Sequence, residues 1–459
     1  MRTQQTVQTV LFDGSQPNDT QANPIFSLLH EVLLQKTNKV KVIKLYNINL
    51  TLCTSCFHCF FKTPGQCRNR NDMGAELLKI ILNSSTIVLF TPVVFGGYSS
   101  DLKKLIDRFL PIVLPFFKKV DKETHHPLRY STFPHIIGIG VHPYPTKELS
   151  NCFKTLVGRN ALNLPPSHYS TEVINSTSYF SQEVRKKFQD VLARTERPPL
   201  YKDINLLLQE NNPSFKKVTK KKQALLIIGS QKDKKSTSNV LAACLAGHLK
   251  NNKIGTEFFK ITDILHHSEG LQNLCAAIDR ADTIILACPL YFDSLPFLVS
   301  KAFETIATHR KKTINMEPKI FLAIINNAFP ESHQNAVALA ICKNFALEAN
   351  MLWAGGLTLG TGEGLISGKS LIGIHGFAGF KRPPLFYISR SLKLTARSLA
   401  KGHPVPEKAA QIMAKIPYPF MSSARWRTFI IQSAKRLIEQ EAQKSGLNVI
   451  ELQRKPYAQ

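Results

Sequence analysis

A chain of 459 residues carrying 59 Lys and Arg against 32 Asp and Glu, a formal charge of +27, is too long for one ordinary core and calls for two or three domains. An apolar content of 43% and a charged content of 20% exclude a disordered protein, and nine cysteines behind a start with no signal pattern argue against a secreted disulfide scaffold and predict a reducing cytoplasm. Apolar runs such as Phe109 to Phe117 are interrupted by proline and fall well short of the roughly 20 residues of a membrane span.

Thr9 to Phe12 reads as a short strand ending in Asp13-Gly14-Ser15, Ile25 to Gln35 as a helix, and Val40 to Leu45 as a second strand. Four cysteines then fall close together, Cys53, Cys56, Cys59 and Cys67. The C-x2-C-x2-C spacing turns three sulfurs toward one centre, and a Pro64-Gly65 turn folds the fourth back over it. Compact spacing of this kind favours iron-sulfur ligation over structural zinc, which usually takes two separated knuckles. Four reduced thiols without a metal would show the same pattern, and His58 reads as a solvated loop residue. Gly74 to Leu82 is helical in pattern, Thr86 to Thr91 is a buried parallel-type strand, Pro92 to Tyr98 is its exit loop, and Ser99 to Phe109 is a helix. His125, His126, Arg129 and Tyr130 read as a surface turn.

The order returns after a lysine-rich run, Lys216 to Lys222, that reads as a solvated linker. Ala224 to Ile228, Thr256 to Ile261 and Thr283 to Ala287 are strands. Asn239 to Leu249 and Leu271 to Arg280 are helices, and Pro289 to Pro296 is the second exit loop. Gly14 to Lys44 and Gly229 to Lys260 are almost equal in length, which points to an internal repeat. The first half is longer only between its second strand and its exit loop, by about the length of the cysteine segment. Ile320 to Asn326 is a further strand, Gln334 to Ala349 a helix, and Leu352 to Gly364 a glycine-rich segment able to approach a ligand closely. The expected architecture is α/β, two tandem doubly wound parallel sheets whose ligands bind at the carboxyl ends of the strands, with a helical C-terminal extension.

The loop Gly229 to Asn239 offers backbone N–H groups, a helix N-terminus and the hydroxyls of Ser230, Ser236, Thr237 and Ser238, a phosphomonoester cradle; N-capping alone would account for part of it. The matching loop of the first half has few such hydroxyls. Losing two hydrogen bonds to a charged group, at ~1.5 kcal/mol each, weakens phosphate binding more than a hundredfold, so the second half is the better phosphate binder.

These residues resemble the flavodoxin-like NAD(P)H-dependent FMN reductases and, more narrowly, the iron-sulfur flavoproteins. The resemblance rests on the G-S-x(5)-S-T loop at Gly229 to Thr237, the exit loops at Pro92 and Pro289, and the cysteine segment followed by Asn71-Asp72-Met73. It implies FMN, a [4Fe-4S] cluster, NAD(P)H as substrate, an electron acceptor, and assembly into homo-oligomers. The expected FMN contacts are Ser230, Ser236, Thr237, Ser238 and Asn239 in the cradle, Pro289, Leu290, Tyr291, Phe292, Asp293 and Ser294 in the exit loop, and Gly360, Thr361 and Gly362. The expected cluster ligands are Cys53, Cys56, Cys59 and Cys67. Two departures, the serine-poor Asp13 to Asp19 loop and Val94 at a position where the family often has Tyr, argue against FMN in the first half.

The expected boundaries are a flavodoxin-like domain with the cysteine loop over 1–197, a basic linker over 198–222, an FMN-binding flavodoxin-like domain over 223–372, and a mainly helical extension over 373–459 that packs on domain two or a partner subunit. The function expected is a flavin-dependent NAD(P)H oxidoreductase, FMN in the second domain exchanging electrons with the cluster in the first. The competing reading is a zinc-binding or metal-free flavodoxin-like scaffold acting as a basic interaction protein. The charge runs along the whole chain with no aromatic-basic recognition motif, which argues against nucleic acid.

Overall fold

A computed structural model of the chain describes residues 9–37, 39–177, 181–209, 212–218, 222–232, 235–266, 269–312, 317–366, 371, 383–415 and 421–457. It divides into two compact units, one of Met1–Lys119, His125–Leu200 and Ser433–Gln459, the other of Val120–Thr124 and Tyr201–Gln432.

In the first unit β1 (Thr9–Asp13), α1 (Ala22–Lys36), β2 (Val40–Lys44), α2 (His58–Phe61), α3 (Gly74–Leu82), β3 (Thr86–Pro92) and α4 (Ser100–Asp107) follow one another. β4 (Lys118–Val120) and β5 (Glu123–His125) form a separate small sheet. The first unit's sheet is completed by β6 (His135–His142), α5 (Lys147–Asn163), β7 (Tyr169–Asn175) and α6 (Ser181–Ala193). The five main strands are all parallel, in the order β2-β1-β3-β6-β7, with Thr9 facing Val40 on one side and Thr86 on the other. Every residue of β1 is buried, which is why the strand is apolar without alternation: helices cover both of its faces. One core joins Leu11, Val88, Phe90 and Ile139 to Ile25, Leu29 and Val32 of α1 and Phe188 of α6.

The second unit contains α7 (Tyr201–Gln209), β8 (Gln223–Ile228), α8 (Thr237–Lys250), β9 (Gly255–Lys260), α9 (Asp263–His266), α10 (Gly270–Arg280), β10 (Thr283–Pro289), α11 (Phe297–Lys312), β11 (Lys319–Asn326), α12 (Ala336–Glu348), β12 (Met351–Leu359) and α13 (Gly362–Ile366). Its sheet is again fully parallel, in the order β9-β8-β10-β11-β12. Both sheets therefore run second, first, third, fourth, fifth strand. Their switch points lie between β1 and β3 and between β8 and β10, where the crevice at the carboxyl ends opens.

Several expectations change. Leu352 to Leu359, read as a glycine-rich segment, belongs to strand β12. Gly355, with φ of 101°, absorbs a bulge that shifts the register against β11, and a Cβ on Gly356 would strike Leu339. α7 lies inside the stretch expected to be linker. His125 and Arg129, read as a surface turn, are buried, and His58, read as solvated, is half-buried at the start of α2. α14 (Pro383–Ala400) and α15 (Glu407–Ala414) bury Leu385, Ile388, Leu392, Ala409 and Met413 in the core of the second unit. α16 (Ser423–Lys444) follows, and the chain beyond Ser433 groups with the first unit. Asp233, Lys234, part of the lysine run (219–221) and residues 372–382 of the expected tail lie outside the described residues.

Candidate functional site

The loop leaving β8 is built for close approach. Gly229 donates its N–H to Ala287 O at 2.8 Å, and a Cβ there would run into Cys288. Three buried serines follow, each already accepting a hydrogen bond from its own surroundings. Ser230 Oγ accepts from Lys232 N at 3.2 Å, Ser236 Oγ accepts from Asn239 N at 3.3 Å as the N-cap of α8, and Ser238 Oγ accepts from Asn326 Nδ2 at 2.9 Å. With the oxygens held this way, the three hydroxyl protons find no acceptor among the described residues and remain available to an anion. The side-chain oxygen and nitrogen of Gln231 are likewise buried without a partner.

Asn326, which the sequence reading passed over, stitches the site together. Its side chain donates to Ser238 Oγ and to Cys288 O at 3.0 Å, and its carbonyl accepts from Leu290 N at 2.8 Å. The signal was a lone amide at the carboxyl end of the otherwise apolar Ile320 to Ile325. Beyond β12, Thr361 has φ of 56°, Gly362 donates its N–H to Asn327 O at 2.8 Å, and a Cβ on Gly362 would lie 3.0 Å from Thr237 Cγ2. Gly360 is equally confined, 2.5 Å from Pro330 O by the same measure. The cradle and the loop at 360–362 thus lie side by side.

The exit loop after Pro289 closes as a two-residue turn. Tyr291 and Ser294 exchange N–H···O bonds at 2.9 and 3.1 Å while Phe292 and Asp293 take φ of 44° and 58°. Left-handed backbone at two consecutive non-glycine residues is strained and tends to persist where function demands it. Asp293 and Ser294 are buried, and Leu290, Tyr291 and Phe292 stay half-exposed.

The first unit closes its exit loop in the same way, Val94 and Gly97 exchanging N–H···O bonds at 3.0 and 2.8 Å, but its cradle loop is built differently. Ser15 Oγ donates to the buried Asp13 Oδ1 at 2.5 Å, so its proton is committed inward. Asp19 Oδ1 accepts from Gln21 N and Ala22 N at 3.1 and 2.9 Å, placing a carboxylate of the chain itself on the first amides of α1. Burial raises the Asp13 carboxyl above its ordinary pKa, against the pull of Ser15 and Lys44. A phosphate would meet two acidic side chains here instead of free hydroxyls.

The cysteine loop follows β2, at the carboxyl edge of the first sheet. Ser55 and Phe57 turn it with φ of 52° and 55° before α2, and Gly65, with φ of 79°, sends its N–H back to Cys59 O at 2.9 Å. Cys53, Cys56, Cys59 and Cys67 all line one cavity, together with Arg68, Asn69, Arg108 and Pro111. The cysteines are free thiols. Burial pushes Cys53 up to about 12 and Cys59 well above its usual value, the other three thiols adding to the effect at Cys59. Among the described residues, no three His, Cys, Asp or Glu side chains gather closely enough to hold a single metal ion.

The C-terminal segment backs this loop. Arg129, buried, donates from Nη1 to Leu452 O and Arg454 O at 2.5 and 2.9 Å and from Nη2 to Cys59 O at 3.5 Å, and a Cβ on Gly65 would lie 2.6 Å from Pro456 Cδ. Leu452 joins Ile438 and Ala442 in a small core against Phe61 and Phe116. No local pattern in the sequence announces a contact between residues so far apart in the chain.

Two fully parallel sheets in this strand order, each with its loops gathered at the switch point, define a flavodoxin-like α/β protein. Residues 223–359, within the second unit, match the NADPH-dependent FMN reductase family. An iron-sulfur flavoprotein of Archaeoglobus fulgidus is 32% identical over 73 residues, 16% of this chain and 32% of that protein. One of Methanocaldococcus jannaschii is 36% identical over 78 residues, 17% of this chain and 39% of that protein. The chain thus spans about a third of the length of these curated relatives. A solved FMN-dependent NADH-azoreductase of Bacillus anthracis, in complex with FMN, is 14% identical, with 40% of this chain and 96% of that one covered and a TM-score of 0.30.

Proposed function

We propose that the chain is an NAD(P)H-dependent flavin oxidoreductase in which the second unit binds FMN and the four cysteines of the first hold a [4Fe-4S] cluster that exchanges electrons with it. The observation that carries the flavin assignment is the contrast between the two loops. Ser230, Ser236 and Ser238 keep their protons for an anion, whereas Ser15 spends its proton on Asp13 and Asp19 occupies the start of α1. In this reading the serines and the N-terminus of α8 fix the phosphate, the strained turn at Phe292 and Asp293 presents amides and the Tyr291 and Phe292 rings to the flavin, and Gly360, Thr361 and Gly362 close the far side. FMN supplies hydride exchange with the nicotinamide and one- or two-electron exchange with an acceptor, so no side-chain acid or base is required.

The cluster assignment is supported by four thiols on one cavity and by relatives named iron-sulfur flavoproteins. A cuboidal cluster bonds each thiolate to a different iron, so its ligands need not converge as they do around one zinc ion. The shared strand order supports reading the two units as tandem copies, with the cysteine loop added to one of them. Among the described residues no helix is long and apolar enough to cross a membrane.

Flavin-free protein titrated with FMN and with riboflavin tests the flavin assignment. Two or more hydrogen bonds to the phosphate should make FMN bind over about a hundredfold more tightly. Equal affinities would overturn it.

A further inference from the structure

Arg108, at the end of α4, is 2% exposed and is held firmly from one side. Its Nη1 donates to Asp72 Oδ2 at 2.6 Å, Thr51 O at 2.6 Å and Thr51 Oγ1 at 3.0 Å, and its Nη2 donates to Asp72 Oδ1 at 3.2 Å. Asp72 is fixed in turn by the amides of Thr51 and Gly74, each at 2.9 Å. Position 74 must be glycine for this arrangement, because a Cβ there would collide with the guanidinium. The anchored side chain lines the cavity of Cys53, Cys56, Cys59 and Cys67, yet its Nε–H, also buried, has no acceptor among the described residues. Leaving a buried donor of a charged group without an acceptor is costly, so such a group calls for a partner from outside the chain.

We propose that Arg108 is a direct contact of the anionic cluster in this cavity: its Nε–H donates to a cluster sulfide or cysteinate sulfur, and its fixed positive charge favours the reduced cluster and so raises the reduction potential. The inference rests on the cluster reading above. Reduction adds one electron and no atom, so the extra negative charge falls beside a cation that Asp72 already orients, and a hydrogen bond to sulfur is a recognised means of tuning such centres. Asp72 neutralises part of the guanidinium charge, which leaves the directed N–H as the larger contribution.

The test is an anaerobic dithionite titration followed by electron paramagnetic resonance on the wild-type chain, Arg108→Gln and Arg108→Lys. Arg108→Gln should shift the oxidised-to-reduced ratio at a fixed potential at least about tenfold toward oxidised, which for one electron is a midpoint lower by about 59 mV. Arg108→Lys, which keeps the charge without the planar Nε–H, should fall between. An unchanged midpoint in a glutamine variant with full iron overturns the proposal. Should the variants lose iron, wild-type protein labelled with 15N-arginine decides: the reduced cluster should show hyperfine coupling to an arginine nitrogen, and its absence overturns the proposal while leaving the cluster reading intact. Wild-type protein that holds no iron would remove that reading and this one together.

Discussion

Replacing both Ser236 and Ser238 by alanine probes the phosphate cradle. Each hydroxyl already accepts a hydrogen bond, from Asn239 N at 3.3 Å and from Asn326 Nδ2 at 2.9 Å, so under the proposed function each would contribute its proton to the bound anion. At ~1.5 kcal/mol for a hydrogen bond to a charged group, removing both should cost ~3 kcal/mol, over a hundredfold in the Kd for FMN. Loss of the N-cap at Ser236 should separately lower the stability of the fold by about 1 kcal/mol, and Asn326 keeps Cys288 O as a partner. Titrations followed by flavin fluorescence at constant ionic strength measure the effect, with riboflavin as the control because it carries no phosphate. FMN should weaken strongly and riboflavin hardly at all. A double variant that binds FMN within about threefold of wild type refutes the reasoning, and equal weakening of both flavins would show damage to the site instead of lost phosphate recognition.

Asp72→Ala should cost about 3–5 kcal/mol in urea unfolding, because Arg108 would be left buried beside Thr51 with its carboxylate gone; a loss under about 1 kcal/mol would mean that the pair is not sequestered. Burial outweighs the hydrogen bond to Phe116 O and lowers His126 to about 4 from its ordinary 6.5. Because the folded value lies below the unfolded one, the neutral imidazole's contribution is complete above pH 6.5 and is lost as pH falls toward 4, by about 3 kcal/mol. His126→Phe should flatten unfolding free energy over that window, and an unchanged pH slope would contradict the assignment. Leu452→Ala should destabilise the chain by about 2–5 kcal/mol in urea unfolding, since Leu452 is fully buried between α16 and the Phe61 and Phe116 rings; a loss below about 0.5 kcal/mol would mean that the segment does not pack there.

Much of the architecture was legible because both periodicities are strong. Apolar β1, β3, β8 and β10 read as strands, β3 as a buried parallel one, and Gly74–Leu82 appears as a helix at the bounds its pattern gave. The four cysteines line one cavity, and the loop that carries them turns at Ser55, Phe57 and Gly65. Other features depend on partners far apart in sequence. Nothing local shows that Asn326 reaches Ser238 across 88 residues, whereas the contacts of Asp19 with Gln21 N and Ala22 N at the start of α1 span only two and three residues. His125 and Arg129 looked like a surface turn because polar residues cluster there, yet Arg129 holds the main chain of both the cysteine loop and the segment at Leu452. β12 was obscured because Gly355 and Gly356 serve a bulge and a close helix contact, two uses of glycine that resemble a loop in composition.

Iron, acid-labile sulfide and FMN measured per chain in anaerobically purified protein test the division of labour between the two units most directly. The account predicts about one FMN with about four iron and four sulfide, the metal being lost on Cys56→Ser and Cys59→Ser while FMN remains. Two FMN per chain, or iron and sulfide absent from protein that still binds FMN, would contradict it.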